Sequence, residues 1–102
     1  MQKYDIVFSD TAEQDLDGIV DYLSSFSEKI ALRYYNEITE KIDTLISMPE
    51  RCYLVDDDVL RKKGYRCLLV RSYIVFFTVE HEKNAVDIRR ILYGRRDYMA
   101  LL

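Results

Sequence analysis

Positions 3–8, Lys-Tyr-Asp-Ile-Val-Phe, alternate in polarity and are rich in β-formers, which predicts a first strand from Lys3 to Phe8. The period then changes. Ala12, Leu16, Ile19, Val20 and Leu23 recur at helical spacing and draw one apolar stripe. Ser9 or Asp10 can cap that helix, and Asp10 with Glu13 approximates a capping box in which Asp replaces the usual Ser or Thr. Glu13, Asp15 and Asp17 fall early in the helix, where its macrodipole favours anions. Ser27 reads as the cap of a second helix. There Ala31, Tyr34, Tyr35, Ile38, Ile42, Leu45 and Ile46 repeat at the same spacing until Pro49 stops it. Residues 10–48 are thus expected as two helices broken at Ser24 to Ser27, an αα-hairpin.

Glu50 to Leu60 show no clear period. Asp56, Asp57 and Asp58 read as a solvated loop, without the flanking ligand spacing that a metal site needs. From Lys62 the β-signal is strong. Residues 64–70, 73–80 and 85–93 are three runs of β-branched and aromatic residues. Arg71-Ser72 and His81 to Asn84 separate them, spacers short enough for hairpins, so an antiparallel meander is predicted. Residues 95–102 can close the chain with a helical turn or two.

The middle run is the most informative. Tyr73, Val75, Phe77 and Val79 share one face; Ile74, Phe76, Thr78 and Glu80 share the other. A strand with one wet face alternates apolar and polar residues. This one is apolar on both faces through its first half, so it is expected at the centre of the sheet, covered on both sides. The helical hairpin can cover one side; the C-terminal segment or a partner must cover the other. The fold class is α+β, one domain over residues 1–102.

Composition adds limits. With 49% apolar residues, 32% charged residues and a length of 102, the chain can bury a modest core without staples. No run approaches a membrane span, and the N-terminus lacks the apolar core of a signal peptide, which points to the cytoplasm. Cys52 and Cys67 have no metal-ligand spacing and read as free thiols; no cofactor or metal is expected. The net charge of −3 hides an asymmetry. Residues 1–50 carry 4 basic and 11 acidic side chains, a net of −7, and residues 51–102 carry 11 basic and 7 acidic, a net of +4. Either the second half faces something anionic, or the halves attract one another.

Several segments together resemble the RelE/ParE superfamily of bacterial toxins from toxin–antitoxin pairs. Residues 4–23 look like its opening strand and first helix. Residues 45–52 look like the end of its second helix with the following proline. Residues 64–80 resemble its signature of an arginine, alternating aliphatics and a tyrosine, and residues 86–97 its closing strand and Arg-Arg-Asp turn. The resemblance implies a cognate antitoxin as partner, with which the chain would form a hetero-oligomer; a homodimer contact is the plainer use of the same surface. It also implies one of two targets. The RelE-like branch cleaves mRNA on the ribosome; the ParE-like branch poisons DNA gyrase and is no nuclease.

Cleavage by a 2′-hydroxyl needs a base, an acid and fixed cations around the phosphate. RNA-cleaving members resemble one another in placing an arginine directly after the signature tyrosine. Here that tyrosine is Tyr73 and the next residue is Ile74, with Phe76 beyond it. Where many members carry a histidine, this chain has Tyr93, a poor base at its ordinary pKa of about 10. The lone histidine, His81, falls in a predicted turn and reads as solvated.

Arg89 and Arg90 are neighbours on a strand and project to opposite faces. One of them, with Arg95 or Arg96 after Gly94 and with Arg66 from the adjacent strand, could converge on one anion, and Asp97 could pin that turn. The plainer reading is a structural ion-pair network. Target or antitoxin binding is therefore assigned to Arg66, Tyr73, Ile74, Phe76, Arg90, Arg95 and Arg96, on a ParE-like protein that binds. The alternatives are an endoribonuclease using Arg66, Tyr93, Arg95, Arg96 and Tyr98, or a non-toxic antitoxin-binding member.

Overall fold

A computed structural model of the chain describes residues 3–94 and Leu102. The expected C-terminal helical turns, and with them Arg95, Arg96, Asp97 and Tyr98, lie outside the described residues.

Four strands build one sheet: β1 (Asp5–Phe8), β2 (Arg66–Val70), β3 (Tyr73–Glu80) and β4 (Ala85–Tyr93), in the order β1-β4-β3-β2. The meander of β2, β3 and β4 is antiparallel, as the short spacers predict, while β1 lies parallel to β4 with Phe8 opposite Ile88. β1 is shorter than expected. Lys3 only bridges to Ser47, and the Tyr4 N–H donates to the Ile46 carbonyl. Between Phe76 and Phe77 the register slips so that Arg89 has no opposite residue, a bulge in β4.

The helical hairpin is α1 (Asp10–Ser24) and α2 (Glu28–Asp43), the latter running on as a 3-10 turn, Thr44–Ile46. Ser9 is the cap of α1 and accepts from the Ala12 N–H; Asp10 is already helical, so the expected Asp10–Glu13 box does not form. Ser27 caps α2 by accepting from the Ile30 N–H. The hairpin's apolar stripes, Ala12 and Leu16 with Ile38 and Ile42, bury against Val75, Phe77, Val86, Ile88 and Ile91. Tyr34 packs at the margin of this core, whereas Tyr35 is exposed.

Among the described residues, the other sheet face is covered by a segment read as loop. Asp57 accepts from the Leu60 N–H and starts α3 (Asp58–Lys62). Gly64, at φ 82, ends it: the Tyr65 N–H returns to the Leu60 carbonyl and the Gly64 N–H to that of Arg61. Leu54 pairs with Arg66 beside β2, and Val55 and Leu60 bury against Phe76 and Leu92, with Ile74, Tyr65, Cys67 and Leu102 at the margin. β3 is thus central and covered on both sides, and among the described residues Val55, Leu60 and Leu102 contribute to the second cover. No described helix is long and apolar enough to cross a membrane.

Candidate functional site

Arg66, Arg71, Arg89 and Arg90 each bind different partners. Arg66, on edge strand β2, donates to the backbone carbonyls of Cys52 (2.7 Å) and Glu50 (3.2 Å) and lies 3.7 Å from the Glu50 carboxylate. Arg71 binds Glu37 of α2 through two nitrogens and lies over the Tyr34 ring, 4.8 Å from its centroid. Arg89 donates to the Thr78 hydroxyl at 3.1 Å and stands 3.7 Å from Asp87. Arg90 turns to α1 and forks onto Asp15, Nε to Oδ2 at 2.7 Å and Nη2 to Oδ1 at 3.0 Å. Arg89 and Arg90 do diverge, as neighbours on a strand should. The expected convergence of Arg66 and Arg90 is absent because β3 lies between their strands and each fork is bound elsewhere. Three of these four arginines pair with acids of the first half, Glu50, Glu37 and Asp15, so internal attraction accounts for part of the charge asymmetry.

Phe76 and Ile74 were expected under a partner. Phe76 is 1% exposed beneath Val55, Leu60 and Leu92, so its contact surface is spent within the fold; Ile74 is half-buried beside it. His81 is not merely solvated. Its Nε2 lies 3.3 Å from the Glu50 carboxylate and its Nδ1 3.5 Å from the Tyr4 hydroxyl. Among the described residues no cluster of His, Cys, Asp and Glu could hold a metal ion. Cys52 and Cys67 are free thiols, both pushed up in pKa by burial.

What the fold does expose is a groove of about 520 Å³ between α1 and the end of β4. Gln14, Gly18 and Tyr22 come from α1, Tyr73 from β3, and Leu92 and Tyr93 from β4. It exists because β1 stops opposite Ile88 while β4 continues to Tyr93. At the vacated edge the chain turns into α1. The Ser9 N–H donates to the Ile88 carbonyl, the Ser9 hydroxyl to the Arg89 carbonyl, and the Asp15 carboxylate accepts from the Ile91 N–H at 2.9 Å. In the groove lining Tyr73 stacks edge to face with Tyr93 at 5.9 Å, and outside that lining with Tyr34 at 6.2 Å. Burial, then the neighbouring phenols Tyr34, Tyr22 and Tyr93, push the Tyr73 hydroxyl up in pKa. Tyr73 and Tyr93 were singled out from the sequence. Asp15, Gly18 and Tyr22 were not as site residues; the mid-helix glycine was the available signal, since glycine inside a helix is costly and marks a close approach or open floor.

The sequence matches the family described as ParE toxin of type II toxin-antitoxin system, parDE, over residues 6–98. Among solved structures the chain is similar to the chromosomal ParDE toxin–antitoxin system of P. aeruginosa, with 22% identity, a TM-score of 0.72, and coverage of 89% of this chain and 96% of that one. It is also similar to the RelBE2 toxin–antitoxin complex of Mycobacterium tuberculosis (18% identity, TM-score 0.65, 89% and 98% covered). The intact RelBE complex of E. coli is similar at 15% identity and a TM-score of 0.61, with 91% and 99% covered. No curated protein matches the sequence.

Proposed function

The chain belongs to the ParE toxin family of type II toxin–antitoxin systems, and from that membership we propose a toxin that acts by binding, with DNA gyrase as its target and a cognate antitoxin as its neutralising partner. The observation that carries the binding mode is the chemistry of the sheet. Directly after Tyr73, where RNA-cleaving relatives place a guanidinium, stands Ile74, packed against an apolar cluster. The described arginines nearest in sequence to the expected cluster, Arg66, Arg89 and Arg90, are each held by carbonyls, a hydroxyl or a carboxylate. A phosphorane growing there would find no cation aimed at it from these residues. The similarity to ParDE and RelBE assemblies supports an antitoxin as the partner. The plan is tested by inducing the chain in bacteria. The reading expects a DNA-damage response and loss of supercoiling while transcripts stay whole. Rapid cleavage of mRNA within codons, without a DNA-damage response, would overturn it in favour of the ribosome.

A further inference from the structure

The groove beside β4 has an unusual balance of hydrogen-bonding groups. In an antiparallel strand the N–H and C=O of one residue point the same way, and the direction alternates along the chain. The Ile91 N–H faces away from β3, because it reaches Asp15. The Ile91 carbonyl and the Tyr93 peptide group share that direction, toward an edge where no described strand lies. Asp15 has already taken one of the edge donors. What remains is rich in acceptors, and an incoming strand would lose a ladder bond at Ile91.

Beside these carbonyls stand the aromatic rings of Tyr22, Tyr73 and Tyr93, two of them exposed. Of the carboxylates on α1, Asp15 lines the groove and is forked onto Arg90, while Glu13 and Asp17 line a separate hollow beside Phe8 and Tyr35. Gly18 leaves the groove floor open, since a Cβ there would meet nothing within 4 Å. π-faces and carbonyl acceptors favour a cation, and a planar guanidinium can stack and donate at once. An anionic side chain would meet the lone pairs of those carbonyls and the negative faces of the rings.

We propose that this groove seats an arginine side chain of a partner protein, stacked among Tyr22, Tyr73 and Tyr93 and donating to the outward carbonyls of Ile91 and Tyr93. The proposal deepens the antitoxin reading and rests on it for the partner, but its test does not require the antitoxin. The probes are three peptides, acetyl-Ala-Leu-Xaa-Leu-Ala-amide with arginine, citrulline or glutamate at the centre, titrated into the full-length chain by NMR. Citrulline keeps the shape of arginine and removes its charge. The arginine peptide should shift Gly18, Tyr22 and Tyr93 and bind roughly fivefold more tightly than the citrulline peptide, with the glutamate peptide weakest. Tyr22→Leu, which keeps an apolar side chain at an exposed position, should erase the preference for arginine over citrulline. Equal binding of all three peptides, shifts elsewhere on the surface, or no binding by any of them would overturn the proposal. Loss of neutralisation by an antitoxin, with the peptide result intact, would instead count against the antitoxin reading.

Discussion

Asp15 on the first helix and Arg90 on the last strand are joined by two hydrogen bonds, 2.7 and 3.0 Å long, and the same carboxylate holds the Ile91 N–H at 2.9 Å. One side chain thus closes a stretch of sheet edge beside which no described strand lies and anchors the hairpin across it. Both partners are mostly buried, with side-chain exposures of 14% for Asp15 and 20% for Arg90, and Asp15 holds the Arg90 guanidinium above its ordinary pKa. Asp15→Ala should leave a half-buried cation and an unsatisfied N–H and cost about 2–4 kcal/mol. Asp15→Asn, which can still accept from Ile91, should cost roughly half as much. Urea denaturation with an unchanged slope checks both.

Ser9 makes the second tie at that edge, capping α1 and donating to the Arg89 carbonyl. Ser9→Ala removes both bonds and should cost about 1–2 kcal/mol, at the upper end of ordinary capping effects. Ser9→Asp preserves the cap but not the donated bond, and should fall between the two in urea midpoint.

The Arg71–Glu37 pair gives a pH dependence. The hydrogen bond from Arg71 holds the Glu37 carboxyl below its ordinary value. A depressed folded pKa stabilises above the unfolded carboxylate pKa and loses that contribution as pH falls through the folded value. Between about pH 6 and about pH 3, Arg71→Ala should lose less stability on acidification than the parent chain. NMR titration of the Glu37 carboxyl should show its midpoint rise in the variant.

Ile74→Arg places a guanidinium where RNA-cleaving relatives carry one. Ile74 is half-buried against Phe76 and the Leu60 cluster, and its Cδ1 lies 3.4 Å from where a Cβ on Gly94 would sit. The change should cost about 1–3 kcal/mol by crowding and partial desolvation, and the variant should still leave transcripts uncut. Thermal melting and an mRNA assay on translating ribosomes read the two effects.

Much of the scaffold could be read from residue order. The stripe from Ala12 to Leu23 and the one from Ala31 to Ile46 are long enough for the helical period to repeat, and Ser27 marked a boundary. The two-faced apolar character of Tyr73 to Phe77 placed β3 at the centre. Helix α3 escaped because five residues hold too little of a 3.6-residue period to show it; its cap, Asp57, was visible only as one of three aspartates. The parallel pairing of β1 with β4 is a long-range choice that no local pattern encodes. The site was harder still. Arginine spacing showed which side chains share a strand, but not that Glu37, Glu50 and Asp15, distant in sequence, would claim them. The groove arises from the unequal lengths of β1 and β4, which strand propensity gives only to within a few residues.

The claim that the chain binds and does not cut is tested most directly with purified protein in two parallel reactions, DNA supercoiling by gyrase and mRNA integrity on translating ribosomes. The account predicts a dose-dependent loss of supercoiling with the message intact. Site-specific cuts in the message with gyrase unaffected would contradict it.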